Sequence, residues 1–516
     1  MDVRMSLIIR ILIAYAALAG LAFAQKKSDS EVSYFKARQV IDDAIKASGG
    51  LEELRALNDI TRVMEGIRTD EGQGLKPLPH RPDYFQNGSL PATNFPKVVS
   101  IRDLKRMRMS DSLSDIIVGG KPIIFKTVLT QDSFFTTYDD IKAYRTIPSG
   151  AIGPSRTSML RRYPETLLLA VWNRPESVRW AGDSQYENRK QNVITFADSD
   201  GVLLMLFFDA ETKLLTKVES LADSPVLGDI ANEVVYSDYR PVGKLTLPFR
   251  YIDKSGGVML QDLRASSITV NTNPADSVFE LPEGYVKYER ISGPPAVVKL
   301  SDDVYAIGGS YNSIFVVFND YVLVIEAGHS TGYASDAISK IKQTAPGKPI
   351  RYLVSTHFHH DHLSGVRSYI HEGSTIITTP DAKEVIEKLL VQSPHVMRPD
   401  ALARNPRPPV VETFSKKRVF DDGVHKVELY DISPNAHSDQ MIIAYLPNEK
   451  ILFEADMLDI EIPGNIGTGG KDTADLYEKI LSLGLQVEKI VPAHGRIGTL
   501  EDLRKSVERY KAMKQR

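Results

Sequence analysis

Between Thr356 and His362 the chain reads Thr-His-Phe-His-His-Asp-His. An apolar core has no use for imidazole and carboxylate at this density, whereas both are ligands for transition-metal ions. His357 and His359 can face one metal while Asp361 and His362 turn toward a second. Further donors follow downstream, each after a strand-like apolar run: His437 in Asn435-Ala436-His437-Ser438-Asp439, Asp456 after Ile451-Leu452-Phe453-Glu454-Ala455, and His494 in Pro492-Ala493-His494-Gly495. Singly these are commonplace loop residues. Together with the first cluster they supply two three-ligand sets and one carboxylate to share between them. Neutral imidazoles and carboxylates suit Zn²⁺ and also accept Fe or Mn, and three protein ligands leave a coordination position open for water. Metal lowers the pKa of that water to about 7. A metal-bridging hydroxide would then attack a carbonyl or phosphoryl centre, with Asp361 or Asp456 moving the proton to the leaving group.

The series HxHxDH, His, Asp, then a Pro-Ala-His-Gly histidine resembles the ligand series of the metallo-β-lactamase superfamily, over residues 297–516. The resemblance implies that His357, His359 and His437 hold a first metal, that Asp361, His362 and His494 hold a second, and that Asp456 bridges them. It implies an αββα sandwich with the ligands on loops at strand ends. The early strand of the family usually ends in Asp; here Glu326 stands in that place, which bears on the support of the ligand loop more than on the ligands. The chain has no cysteine, so lactamase types with a cysteine ligand are excluded, and Asp456 is more similar to glyoxalase II and esterase-type members. The expected activity is hydrolysis of an ester, thioester or lactam-like bond with two Zn²⁺ per chain. Alternatives are a β-lactamase, a mononuclear iron dioxygenase of the persulfide type, and a protein that is chiefly a carrier. Among the other histidines, His360 should point away from the metals, His329 lies in a loop near the expected pocket, and His371 and His425 read as ordinary residues.

The elements that must present these ligands read as strand and helix in alternation: strand 350–355, helix 363–372, strand 375–379, helix 382–391, then strands 426–430, 441–446, 451–454 and 489–491, and a closing helix 500–514. Residues 391–415, rich in proline, are too long for a simple connection and are expected to cap the cleft. Ahead of them, residues 30–285 open with a helix over 34–48 ended by Gly49-Gly50 and continue as strands joined by turn signals. Single strands are expected over 97–109 and 259–270, and one helix over 155–172. This pattern predicts a curved antiparallel sheet with helices and resembles the periplasmic lipoprotein-carrier type of domain, implying an apolar or lipid ligand. Residues 286–296 read as a linker, giving a two-domain α+β and α/β chain.

The 516 residues are 42% hydrophobic and 25% charged, with Lys+Arg 63 against Asp+Glu 66. That near-neutral balance offers no basic footprint for nucleic acid. Residues 1–24 carry Arg4 and Arg10, an apolar stretch and Ala22-Phe23-Ala24, the pattern of a cleavable export signal. The stretch is shorter than the roughly 20 residues a stable membrane anchor needs. A small-molecule substrate and an exported protein, periplasmic in a Gram-negative source, are therefore expected.

Overall fold

The computed structural model describes residues 27–69, 72–77, 92–118, 121–139, 141–288, 295–309, 311–458, 460 and 469–515. The expected export signal, 1–24, lies outside the described residues. The N-terminal half is one large sheet of 14 strands running from Asp59–Thr69 to Val286–Lys287. Neighbouring strands pair antiparallel except Val286–Lys287, which runs parallel to Ala143–Thr146, and Asp59–Thr69 joins the two runs by pairing with both Ala92–Asp103 and Val258–Val270. The helices Asp29–Ala47 and Pro164–Asn173 lay Ile41, Ala44, Leu167 and Val171 on the sheet, where they share a core with Phe196, Phe208 and Leu247. The expected helix 155–172 is two helices, Ile152–Arg161 and Pro164–Asn173. Proline accepts the first turn of a helix but not its interior, so the chain restarts there. The expected strand 97–109 is likewise a hairpin, turning between Asp103 and Arg108 with Met107 at φ 53°.

The C-terminal half has a 7-stranded and a 5-stranded sheet. In the first, Val322–Ile325, Ile350–Val354, Thr375–Thr378 and Val410–Thr413 run parallel, with helices between them. In the second, Ile451–Glu454 and Lys489–Pro492 run parallel and end side by side, where the antiparallel Ile442–Leu446 begins. Strands such as Val322–Ile325 and Ile451–Glu454 are buried at every position, as strands covered on both faces must be. Both sheets contribute to one core. This core also takes in Val226, which sits in a turn of the N-terminal sheet and is 1% exposed.

The proline-rich stretch within 391–415, expected to cap the cleft, makes its polar contacts with residues outside the candidate ligands. Its polar contacts run to the N-terminal sheet: the Asp229 amide donates to the Pro394 carbonyl at 2.7 Å, and Val396 and Met397 donate their amides to Asp229 Oδ2 at 2.7 and 3.0 Å. Asp400 in turn anchors the stretch to Arg367 at 2.6 Å. The two halves thus meet along a hydrogen-bonded seam.

Candidate metal centre

Six of the seven candidate ligands follow the end of an interior strand. Ile350–Val354 delivers His357, His359, Asp361 and His362, the last two within the single turn His360–Leu363. Ile451–Glu454 delivers Asp456, Lys489–Pro492 delivers His494, and the loop before Ile442–Leu446 carries His437. Parallel strands that end at one edge place the residues after them together.

All seven residues meet in two groups. Ligand atoms of His357, His359, His437 and Asp456 lie within 4.8 Å of one another, and so do those of Asp361, His362 and His494. Asp456 touches both groups. Its Oδ2 lies 3.3 Å from His357 Nε2, 3.0 Å from His437 Nε2 and 2.8 Å from His362 Nε2. Its Oδ1 lies 3.3 Å from His494 Nε2. Asp361 Oδ2 accepts from His494 Nε2 at 3.0 Å.

The donor atoms fit a cation. His357 Nε2, His362 Nε2 and Asp456 Oδ1 are shielded from solvent and form no hydrogen bond among the described residues. Such atoms are costly to bury unless something binds them. Burial, then the neighbouring His362, lowers the His357 pKa to about 4 from 6.5, which leaves the ring neutral at pH 7 with a free lone pair. Burial together with His357 and His437 likewise holds His359 well below its ordinary value. At His362 burial acts in the same sense, but Asp456, Asp361 and Glu326 outweigh it and raise its pKa well above 6.5. Burial would raise Asp456, yet His362 and the other histidines hold its carboxylate well below the usual range. Three carboxylates therefore draw positive charge to this point.

Glu326 is the residue that departs from the expected Asp. It is fully buried, takes φ 74° and accepts three hydrogen bonds: the Thr356 amide on Oε1 at 2.8 Å, and the Tyr311 hydroxyl and His362 Nδ1 on Oε2 at 2.8 and 3.0 Å. A left-handed backbone is unfavourable for a residue with a Cβ and persists only where its surroundings impose it. The longer side chain thus reaches the ligand loop and orients His362. Tyr311 and Asn312 join this support and were not expected from sequence. Tyr311 also lies 2.7 Å from His362 Nδ1, and Asn312 donates to the Pro492 and Gly495 carbonyls at 2.8 Å each, clamping the His494 loop. A tyrosine and an asparagine at the edge of a strand carry no spacing signal that would single them out.

The His360 ring packs against Gly72. His329 stacks beside Tyr311, with ring centroids 5.6 Å apart, one layer behind the cluster. His371 lies at the end of the helix Val366–Glu372, and His425 is buried near Phe318. Gln73 and Gly74, from the N-terminal half, also reach the cluster: Gln73 Nε2 donates to Asp361 Oδ1 at 2.6 Å, and the Gly74 carbonyl lies 2.9 Å from His359 Nε2.

Residues 306–494 match the family model described as the metallo-beta-lactamase superfamily. An alkyl/aryl-sulfatase of Saccharomyces cerevisiae is 24% identical over 153 residues, which is 28% of this chain and 23% of that protein. The chain thus spans about a quarter of the length of this curated relative. Among solved structures, the DIM-1 metallo-beta-lactamase exposed to ceftazidime is 16% identical with a TM-score of 0.32, covering 44% of this chain and 99% of its own. A metallo-beta-lactamase from Pontibacter korlensis is 19% identical with a TM-score of 0.32, covering 42% of this chain and 99% of its own.

Proposed function

We propose that the protein, whose residues 306–494 match the metallo-beta-lactamase superfamily model, is a binuclear metallohydrolase acting on an ester, thioester or lactam-like bond. The observation that carries this reading is Asp456, whose two oxygens face both ligand groups at 2.8–3.3 Å. His357, His359 and His437 would hold one metal, Asp361, His362 and His494 the other, and Asp456 would join them. Nitrogen and oxygen donors without thiolate suit zinc. When bound, the metals supply an activated water at neutral pH and a Lewis acid for the substrate oxygen.

The protein's own groups do the rest. Glu326 and Tyr311 hold His362 with Nε2 toward the cluster, and Asn312 fixes the loop that carries His494. Asp361 is the more open carboxylate, with 31% side-chain exposure against 11% for Asp456. It is placed to relay a proton from the incoming water to the leaving group. The two C-terminal sheets and the helices beside them support an αββα sandwich as the scaffold. The leader-like residues 1–24 support export, which N-terminal sequencing of the mature protein tests.

Elemental analysis of the protein purified without added metal tests the central reading. About two zinc per chain is expected, followed by turnover in a panel of esters, thioesters, lactones and β-lactams. Sulfate esters join the panel because the yeast relative is an alkyl/aryl-sulfatase. One iron per chain with oxygen uptake on persulfides would overturn it. A second role, binding of an apolar ligand by the N-terminal sheet, is supported by a cavity of about 340 Å³ in which Met64, Val98, Met109, Leu113 and Leu263 line the wall beside Arg102, Asp111 and Arg162. Lipid extraction from the purified protein tests that role.

A further inference from the structure

We propose that residues 72–76 of the N-terminal half are a built part of the metal centre, with Gln73 a positioning residue for Asp361 and the Gly74 carbonyl the group that fixes the His359 ring. The inference rests on the metal-centre reading given above.

The Gly74 carbonyl can only accept, and it lies 2.9 Å from His359 Nε2. His359 must therefore carry its proton on Nε2, which leaves the Nδ1 lone pair free. Nδ1 is the nitrogen that faces the ligand group, 3.1 Å from His437 Nε2. A ligating histidine that donates its other N–H to a backbone carbonyl is held in the tautomer and orientation that binding requires. Here that carbonyl comes from a residue 285 positions earlier in the chain.

Gln73 performs the matching task on the second ligand group. Its amide donates to Asp361 Oδ1 at 2.6 Å, while Asp361 Oδ2 points to His494 Nε2 at 3.0 Å and His362 Nε2 at 3.5 Å. One carboxylate oxygen is occupied from outside, so the other is turned inward. A carboxylate only accepts, so the atom of Gln73 that faces it is the amide nitrogen.

The strap is fixed on both sides. At one end the Gly72 carbonyl accepts the His360 amide at 3.3 Å, and Gly72 takes φ +69° with its missing Cβ 2.3 Å from His360 Cγ. No other residue fits that approach. At the other end the Leu75 carbonyl accepts the Asp439 amide at 2.8 Å, and Lys76 pairs with Asp439 at 3.4 Å. Asp439 lies two residues beyond His437. Residues 72–76 therefore tie together two ligand loops that leave different sheets. Leu75 also walls a cavity of about 660 Å³ beside Asn435, Ala436 and Met457, the neighbours of His437 and Asp456.

The test uses the full chain with Gln73→Ala and Gly72→Val, loaded stepwise with Zn²⁺ against a chromogenic chelator and, separately, with Co²⁺ read by its visible spectrum. Gln73→Ala is expected to weaken the Asp361 group by about 10–100-fold, the range for loss of an outer partner, while the melt of the metal-free protein stays unchanged. Gly72→Val displaces the strap and is expected to alter the Co²⁺ spectrum of the His359 group as well. Wild-type affinity and spectrum in both variants would overturn the inference, as would a loss of affinity that follows loss of fold in the metal-free melt. A wild-type protein that binds no metal would overturn the metal-centre reading itself, and this inference with it.

Discussion

Changing Glu326 to Gln removes one charge and keeps the shape of a side chain that makes three buried hydrogen bonds. The Thr356 amide requires an acceptor on one arm, so the glutamine oxygen must occupy the Oε1 position. Its NH₂ group then faces the Tyr311 hydroxyl and His362 Nδ1. Two donors cannot face each other, so His362 would move its proton from Nδ1 to Nε2. That proton occupies the lone pair aimed at Asp456, 2.8 Å away, and blocks the position from which His362 would bind metal. Loss of an outer partner of a ligating histidine costs 10–100-fold in metal affinity, roughly 1.4–2.7 kcal/mol. Glu326→Asp keeps the charge but withdraws it by about one bond length, ~1.5 Å, which breaks hydrogen bonds that now span 2.8–3.0 Å. The assay is stepwise Zn²⁺ competition with a chelator, which resolves the two groups. The His362 group should weaken in both variants while the His357 group changes little. Two metals bound by Glu326→Gln with wild-type affinity would refute the tautomer argument.

Asp361→Ala and His437→Ala each remove a candidate ligand, one from each group, and turnover on any substrate found should fall by more than about 100-fold, beyond the effect of losing an outer partner; activity that survives in either would sink the hydrolase assignment. Glu165→Ala leaves Arg62, 0% exposed and hydrogen-bonded to Tyr251 at 3.0 Å, as an uncompensated buried charge, and should lower unfolding stability by about 3–5 kcal/mol in a urea titration. Burial raises the Glu454 pKa well above 4.5, so the folded state holds a proton that the unfolded state releases, and stability is lost as pH rises from 4.5 through the folded value. Glu454→Gln cannot ionise, so its melting temperature should gain on that of wild type between pH 5 and pH 8; a constant difference would contradict the shift.

The site was legible in the sequence because its ligands are dense and follow buried strands. His357, His359, Asp361 and His362 announce themselves within six residues; Asp456 and His494 sit after apolar runs that form interior strands, and His437 sits in the loop ahead of one. Tyr311, Asn312, Gln73 and Gly74 were invisible because their role depends on contacts across 51, 180, 288 and 285 positions respectively. No local pattern encodes such a contact. Turn signals such as Asp198-Ser199-Asp200-Gly201 made N-terminal strands readable, whereas the turn Asp103–Arg108, without a glycine and with Met107 at φ 53°, hid a hairpin inside one expected strand. The length and proline content of residues 391–415 signal a special role but not its partner, which is Asp229, more than 160 positions earlier in the chain.

Val226 gives the chain a property that a tandem of independent modules lacks. A valine from a turn of the first half packs into the core of the second, so a gene fragment that begins near residue 297 would lack both that side chain and the Asp229 partner of the 391–415 stretch. Val226 leaves the ribosome before the strands it packs against, and is without that partner until they emerge. Recombination that exchanged either half for a homologue would have to carry across both Val226 and the strands it packs against, which ties the two segments into a single unit of inheritance.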